Sequence, residues 1–414
     1  MIRIPGLALR DHTFSVPLDH ASPGGDHIEV FAREVVAPDK VGEDLPWLLF
    51  LQGGPGGLAP RPTKADGWLG HAVKTHRVLL LDQRGTGRST PVTARTVGDR
   101  SPAELAAYLR LFRADSIVAD AELIRARLAG GARWATLGQS YGGFITLTYL
   151  SRAPEGLSAC YVTGGLAGLT ATADEVYDRT YPRVLAKNAE YYRRYPSDVD
   201  VVRELADRLE VDDVRLPDGD RLTTRRLQAL GLMLGMGDGF ERLHWLFDTA
   251  PSDSFLHQVM ALTSFADGPI YAMQEFCYGQ PGAATGWAAQ RALDRYPQFA
   301  PDAAPLMFTG EMMYPWMFAD IAALRPFAAT ADLLAATDDW PALYDADRLA
   351  ANDVPVAAAV YFDDMYVDAD LQLRTAHAMG NTRVWVTNEY EHDGLRVSDE
   401  RVLARLMDMV AGYR

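Results

Sequence analysis

Eleven consecutive residues, Trp134-Ala135-Thr136-Leu137-Gly138-Gln139-Ser140-Tyr141-Gly142-Gly143-Phe144, constrain this chain more than any other stretch. They read as an apolar run, a serine boxed by glycines, and a second apolar run. If the first run is a strand and Phe144 opens a helix, Ser140 sits on the sharp reversal between them with its hydroxyl presented. A reversal that tight brings backbones too close for a Cβ, which accounts for glycine at 138 and 142. Gly-x-Ser-x-Gly also describes ordinary loops, so the reading depends on whether the chain supplies a base, an acid and donors for a developing negative charge.

The surrounding pattern is that of a sheet interleaved with helices. Trp47-Leu48-Leu49-Phe50-Leu51 and Val78-Leu79-Leu80-Leu81 are continuous apolar runs, as expected of strands buried on both faces of a parallel sheet. Each ends in a glycine-rich loop, Gln52 to Gly57 and Asp82 to Ser89, at the strand end where open α/β sheets bind ligands. Upstream, His12 to Pro17 and His27 to Val35 read as an antiparallel hairpin forming one sheet edge. Apolar spacing from Pro102 to Leu128 predicts helix, with Ser116 or Asp120 as cap or break. Ala159 to Thr163 is a further buried strand.

From about 169 to 345 strand-like runs give way to amphipathic helical patterns, with no Pro/Ser/Gly-rich linker. This predicts a helical cap inserted over the ligand face. Strand patterns resume at Val354 to Phe362 and Thr382 to Thr387, and the chain closes on a helical face from a Ser398 cap to Tyr413. The expected architecture is an α/β-hydrolase fold with a mostly parallel central sheet. Residues 1–168 form the first part of its core, 169–345 the cap, and 346–414 the second part of the core.

Composition removes several function classes. At 48% hydrophobic and 23% charged over 414 residues the chain is an ordinary globular one, and a net charge of −15 argues against nucleic acid or an anionic membrane as partner. Cys160 and Cys277 lie in no Cys-x-x-Cys pair and near no clustered histidines, so no disulfide framework or zinc site is expected; both read as buried hydrophobes, with a bridge between them the minor option. Met1 to Pro5 lacks the apolar core of a signal peptide and no stretch reaches membrane-spanning length, so a cytoplasmic protein is expected.

A serine hydroxyl needs an adjacent imidazole, itself oriented by a carboxylate. In this fold both partners follow the serine, acid first, on loops after late strands. Asp363, Asp364 and Asp368 follow the Val354 strand, and His392 follows the Val384 strand; of the nine histidines it alone sits just past a late strand. Asp364 is the favoured acid and Asp363 the next; the others would serve loop hydrogen bonding or capping. The Gly53 to Gly57 run offers backbone N–H groups from Gly53 and Gly54 for an oxyanion hole, with the Tyr141 N–H as second donor. A phosphate cradle is excluded by the missing Gly-Lys-Ser/Thr ending.

Gly-Gly-Pro-Gly at 53–56, Asp-Gln-Arg-Gly-x-Gly-x-Ser at 82–89, Gly-Gln-Ser-Tyr-Gly-Gly at 138–143 and the late His392 together resemble the proline iminopeptidase (prolyl aminopeptidase) family of serine peptidases. The resemblance implies release of an N-terminal residue, preferably proline, from short peptides or amino-acid amides with a free N-terminus, through an acyl-enzyme and without metal or cofactor. It further implies that cap carboxylates bind the free amine while aromatic side chains enclose the ring. The matching positions are Glu275 and Glu311, with Phe276, Tyr314 and Trp316 as the aromatics. A carboxylate in so apolar a segment needs a cation, either a substrate ammonium or an internal arginine. The chain departs from the family at Gln52, where a histidine usually stands, at Tyr361 to Asp364, which lacks the usual Gly-x-x-Asp, and in its longer cap. The competing readings are an esterase, amidase or lactonase acting on small molecules, and a non-catalytic receptor on the same fold.

Overall fold

Runs too apolar to face water on either side become the centre of the sheet. In the computed structural model, which describes residues 1–413, nine strands pair in the order β1-β2-β3-β5-β4-β6-β7-β8-β9. They are β1 (Ile2–Ile4), β2 (Leu7–Pro17), β3 (His27–Val36), β4 (Trp47–Leu51), β5 (Arg77–Leu81), β6 (Trp134–Gln139), β7 (Leu157–Thr163), β8 (Val356–Tyr361) and β9 (Thr382–Thr387). From β5 to β9 every pairing is parallel, whereas β1, β2, β3 and β5 pair antiparallel. Parallel neighbours require crossovers, and helices supply them on both faces.

The helix Tyr141–Arg152 is buried along nearly its whole length between the sheet and the outer helices, while Gly67–Ala72 and Arg401–Ala411 cover the opposite face. Val402, Leu403 and Leu406 are the fully buried side of that last helix. No helix is long and apolar enough to cross a membrane among the described residues. Cys160 and Cys277 are both buried and unbridged.

Three local expectations are corrected. A short strand, β1, lies outside the β2–β3 hairpin, so the hairpin is one strand in from the edge. The helical run after Pro102 breaks at Arg113, not at Ser116 or Asp120, and its cap is Ser101, whose hydroxyl accepts from the Glu104 N–H while Glu104 reaches back. Asp120 is instead buried against Arg84, an ion pair that locks the loop after β5 to the helix Ala114–Leu128. The final helix begins at Arg401; the Ser398 hydroxyl still accepts from the Val402 N–H at 3.3 Å.

Between β7 and β8 the chain adds no strand to the sheet and winds through a series of helices, from Ala173–Arg194 to Ala328–Ala336. This insertion is the cap. It returns through the helix Ala346–Ala350 to β8.

Candidate active site

β6 ends at Gln139 and the next helix begins at Tyr141, leaving Ser140 alone to make the turn at φ 54°, ψ −123°. This is a region that side chains other than glycine rarely occupy, and such strain is retained where the surroundings impose it. They do so here: a Cβ on Gly138 would overlap the Gly142 carbonyl, and one on Gly142 would overlap the Leu51 carbonyl of β4. The Ser140 N–H is also held by the Thr163 carbonyl at the end of β7, at 2.9 Å.

The three candidate acids separate in space. Asp364 is fully buried and its Oδ2 accepts from His392 Nδ1 at 2.7 Å. Its Oδ1 accepts from the Tyr366 and Val367 N–H groups at 2.8 and 3.1 Å, which fixes the carboxylate. Asp363 is exposed. Asp368 caps the helix Ala369–Ala378 through the Leu371 N–H and pairs with Arg183. For His392, burial disfavours the imidazolium, but Asp364 and then Glu311 and Asp393 outweigh it and raise its pKa above the ordinary histidine value. Among the described residues no hydrogen bond joins the Ser140 hydroxyl to His392 Nε2, and neither atom has any other partner; both side chains line the same cleft.

The glycine loop contributes unequally. The Gly53 N–H donates to the side-chain oxygen of Gln52 at 2.9 Å, which takes it out of the expected pair of oxyanion donors. Gly54 N–H finds no acceptor among the described residues, and the Tyr141 N–H, first in its helix, has no intrahelical one. Behind this loop, Gln83 Nε2 donates to the Gln52 carbonyl at 2.8 Å, and Asp82 is buried against Arg61 and the Ala59 and Arg88 N–H groups. The Asp82 to Ser89 loop therefore buttresses the glycine loop without lining the cavity.

Two connected spaces meet at Ser140. One is a narrow, mostly apolar chamber of about 70 Å³ under the helix Ala173–Arg194, walled by Tyr141, Phe144, Tyr177, Tyr278 and Tyr344. The other is a wider cleft of about 440 Å³ that reaches the surface past Gln52, Phe265, Asp267, Tyr271 and His392. Gly54, Ser140, Glu311 and Tyr366 line both.

The substrate-binding expectations divide. Glu311 is at the junction of the two spaces, with the Tyr271 hydroxyl donating to it at 2.5 Å and no cationic partner among the described residues. Burial pushes its pKa up to about 7, against the opposing pull of Tyr271 and His392. Glu275 is not brought to Ser140: its carboxylate accepts from the Ala288 and Ala289 N–H groups at 3.3 and 3.2 Å, at the start of the helix Ala288–Leu293. It lines a separate small pocket together with Phe276, which packs on Trp340. Tyr314 is buried with its hydroxyl 2.9 Å from that of Tyr181, and Trp316 stacks on Tyr314 beneath Arg225, so neither reaches the cavity.

The aromatics that do reach it, Tyr141, Phe144, Tyr177, Phe265, Tyr271, Tyr278, Tyr344 and Tyr366, come from five separate segments. No local pattern could have grouped them. The one available signal was the triplet of aromatic residues beside the Ser140 and Asp364 motifs, at 141, 144 and 366. Burial drives the hydroxyl pKa of Tyr177, Tyr271, Tyr278 and Tyr366 well above normal, so these stay neutral donors. Among the described residues no cluster of three or more His, Cys, Asp or Glu side chains is arranged to hold a metal ion.

A serine on a strained elbow, an imidazole backed by a fixed carboxylate, and free backbone donors beside them form a set able to perform acyl transfer. The alpha/beta hydrolase fold family profile matches residues 46–208. A proline iminopeptidase of Aeromonas sobria is 47% identical over 412 residues, covering 98% of this chain and 97% of that protein. Another, aneH of Aspergillus aculeatus, is 34% identical over 95% of this chain and 91% of its own length. One from Neisseria gonorrhoeae matches only 118 residues at 31% identity, 28% of this chain. On the strength of the two near full-length similarities, the chain belongs to the proline iminopeptidase family of α/β hydrolases.

Proposed function

We propose that this protein is a serine aminopeptidase that releases an N-terminal proline, or a similar small residue, from short peptides. The observation that carries the reading is Glu311: a half-buried carboxylate with only a tyrosine hydroxyl for company, at the junction of the two spaces that Ser140 lines. Leaving such a group unpaired is costly, and a substrate ammonium supplies the missing charge. Residues 169–345 act as the cap that brings Glu311 there.

The orientation of the substrate follows from His392, which lines the wide cleft and not the narrow chamber. The leaving amine must receive its proton from this imidazole, so the remainder of the peptide lies in the cleft. The N-terminal ring occupies the narrow chamber, whose size and tyrosine walls suit a small apolar ring. In the reaction His392 Nδ1–H donates to Asp364, leaving Nε2 free to take the Ser140 proton as Oγ bonds to the scissile carbonyl carbon. The Gly54 and Tyr141 N–H groups receive the oxyanion. Collapse breaks the C–N bond, His392 protonates the departing amine, and water activated by the same imidazole then hydrolyses the acyl-enzyme. Two unbridged cysteines accord with a cytoplasmic setting, which belongs to the same proposal.

The test compares a proline anilide, its N-acylated form and a simple aryl ester, each with Ser140→Ala as control. Selective cleavage of the free amine is expected. Equal rates on the N-blocked anilide would remove the aminopeptidase assignment.

A further inference from the structure

The loop that carries His392 is fastened to the cap. From Asn388 to Asp393 the only backbone hydrogen bond to another segment, among the described residues, runs from the His392 N–H to the Gly235 carbonyl of the cap, at 3.2 Å. The residue after it is held similarly, since Asp393 Oδ1 accepts from the Gly237 N–H at 3.0 Å. The residue before it, Glu391, pairs with Lys187 on the cap helix Ala173–Arg194. All three consecutive positions of the loop are thus bonded to the cap.

Lys187 is not a surface cation. Only 5% of it is exposed, and Glu391 is its one ion-pair partner among the described residues. Exposed ion pairs contribute little and are easily lost, but a buried ammonium is costly unless its partner is fixed. The pairing is also part of a row. Arg179, Arg183 and Lys187 recur every four residues and so share one helix face. Arg183 Nε meets Asp368 at 2.7 Å and its Nη1 donates to the Phe362 carbonyl at 2.9 Å, on the loop that bears Asp364. One cap helix therefore grips the acid loop with Arg183 and the histidine loop with Lys187.

We propose that Lys187, through Glu391, is a positioning residue for His392, and that the cap completes the catalytic constellation as well as covering it. The proposal rests on the reading of Ser140, Asp364 and His392 as the triad. Its physical basis is that a reacting group displaced by about 1 Å loses roughly a hundredfold in rate, and that Asp364 orients the imidazole ring while the backbone beneath it is anchored only to the cap. Substrate then enters through the open cleft, because swinging the cap away would release the histidine.

The experiment compares wild type, Lys187→Met, Lys187→Arg, Glu391→Gln and the double variant Lys187→Met/Glu391→Gln. Readouts are kcat and KM on a proline anilide and on an aryl ester, the rate of Ser140 labelling by a fluorophosphonate, and Tm. Lys187→Met is expected to lower kcat and the labelling rate by about tenfold on both substrates with KM changed less than about twofold, and Lys187→Arg to recover most of the loss. The double variant should lose no more than Lys187→Met alone, because the two side chains act as one unit.

His392 is faced by Asp364, Glu311 and Asp393, so freeing the Glu391 charge adds to a negative surrounding. The acid limb of the Lys187→Met rate profile should accordingly move to higher pH, an effect that mere loss of packing does not produce. Wild-type kcat and labelling in Lys187→Met, or no recovery in Lys187→Arg, overturn the proposal. Should Lys187→Met not fold, Glu391→Gln carries the same comparison, with a fall in kcat at constant KM expected and unchanged rates contrary. The two readings remain separable. A wild type that is labelled and cleaves the ester but spares the free-amine anilide defeats the substrate assignment alone, whereas one that is not labelled defeats the triad and with it this proposal.

Discussion

The loops at the strand ends and the cap above them meet the same cavity but were built under different rules. Ser140, Asp364 and His392 each lie within five residues of the end of a parallel strand, so the sheet's strand order brings all three to the same edge. Glu275 and Glu311 stand in similar stretches, each among aromatics, yet one caps a helix inside the cap and the other faces Ser140. What separates them is packing: Glu275 found two backbone N–H groups at a helix start and spent its charge there, whereas Glu311 found a single hydroxyl. A motif tied to regular structure carries its position with it, and a residue in an irregular insertion does not.

The largest test of that contrast is at the acid. Asp364→Asn is expected to lower kcat by about 10⁴-fold, since the imidazole would lose its tautomer and orientation, while Asp363→Asn, exposed one residue earlier, should stay within about twofold. Steady-state rates on the aryl ester suffice. Comparable losses at both positions would mean that the loop as a whole, not one carboxylate, serves the histidine.

Within the cap the two glutamates should fail differently. Glu311→Gln is expected to raise KM for the free-amine anilide by about 10- to 100-fold, the worth of a hydrogen bond to a charged group, and to leave the aryl ester nearly unaffected. Glu275→Ala should instead lower stability by about 2 kcal/mol, leaving two helix-start N–H groups unsatisfied, with KM little changed. Denaturant melts and paired KM measurements on the two variants would erase the distinction if both changed the same parameter.

The smallest effect is in pH dependence. Glu311 is neutral below about 7 and ionised above it, so anchoring of the ammonium is present above that value and lost as pH falls through it. His392, raised above the ordinary histidine value, becomes a competent base only as pH rises through its own midpoint. The aryl ester should follow the histidine alone. The anilide should show kcat/KM falling more steeply on the acid side, and superimposable profiles would count against Glu311 as anchor.

Much of the core was legible because periodicity and motif order report local structure directly. Continuous apolar runs at 47–51 and 78–81 could only be doubly buried strands, and the order of serine, acid and histidine set the sites at their ends. Asp363, Asp364 and Asp368 lie within one loop and the local pattern favours Asp364 without separating them; geometry does so: one faces the imidazole, one is exposed, one caps a helix. The role of Asp82 to Ser89 as a buttress was not legible, since a strand-end loop that lines a site and one that supports it have the same polar, glycine-rich composition.

By itself the sequence determined the sheet, the elbow at Ser140, the late histidine and the presence of a helical insertion, because each depends on neighbours a few residues away. Tertiary structure alone decided which cap residues reach the serine. The tyrosines at 177, 271, 278, 344 and 366 converge from distant segments, Gly53 turned its N–H to Gln52, and Glu275 turned inward. The physical reason is that a buried polar group goes to whichever partner the packing offers, and that partner is chosen by the fold as a whole.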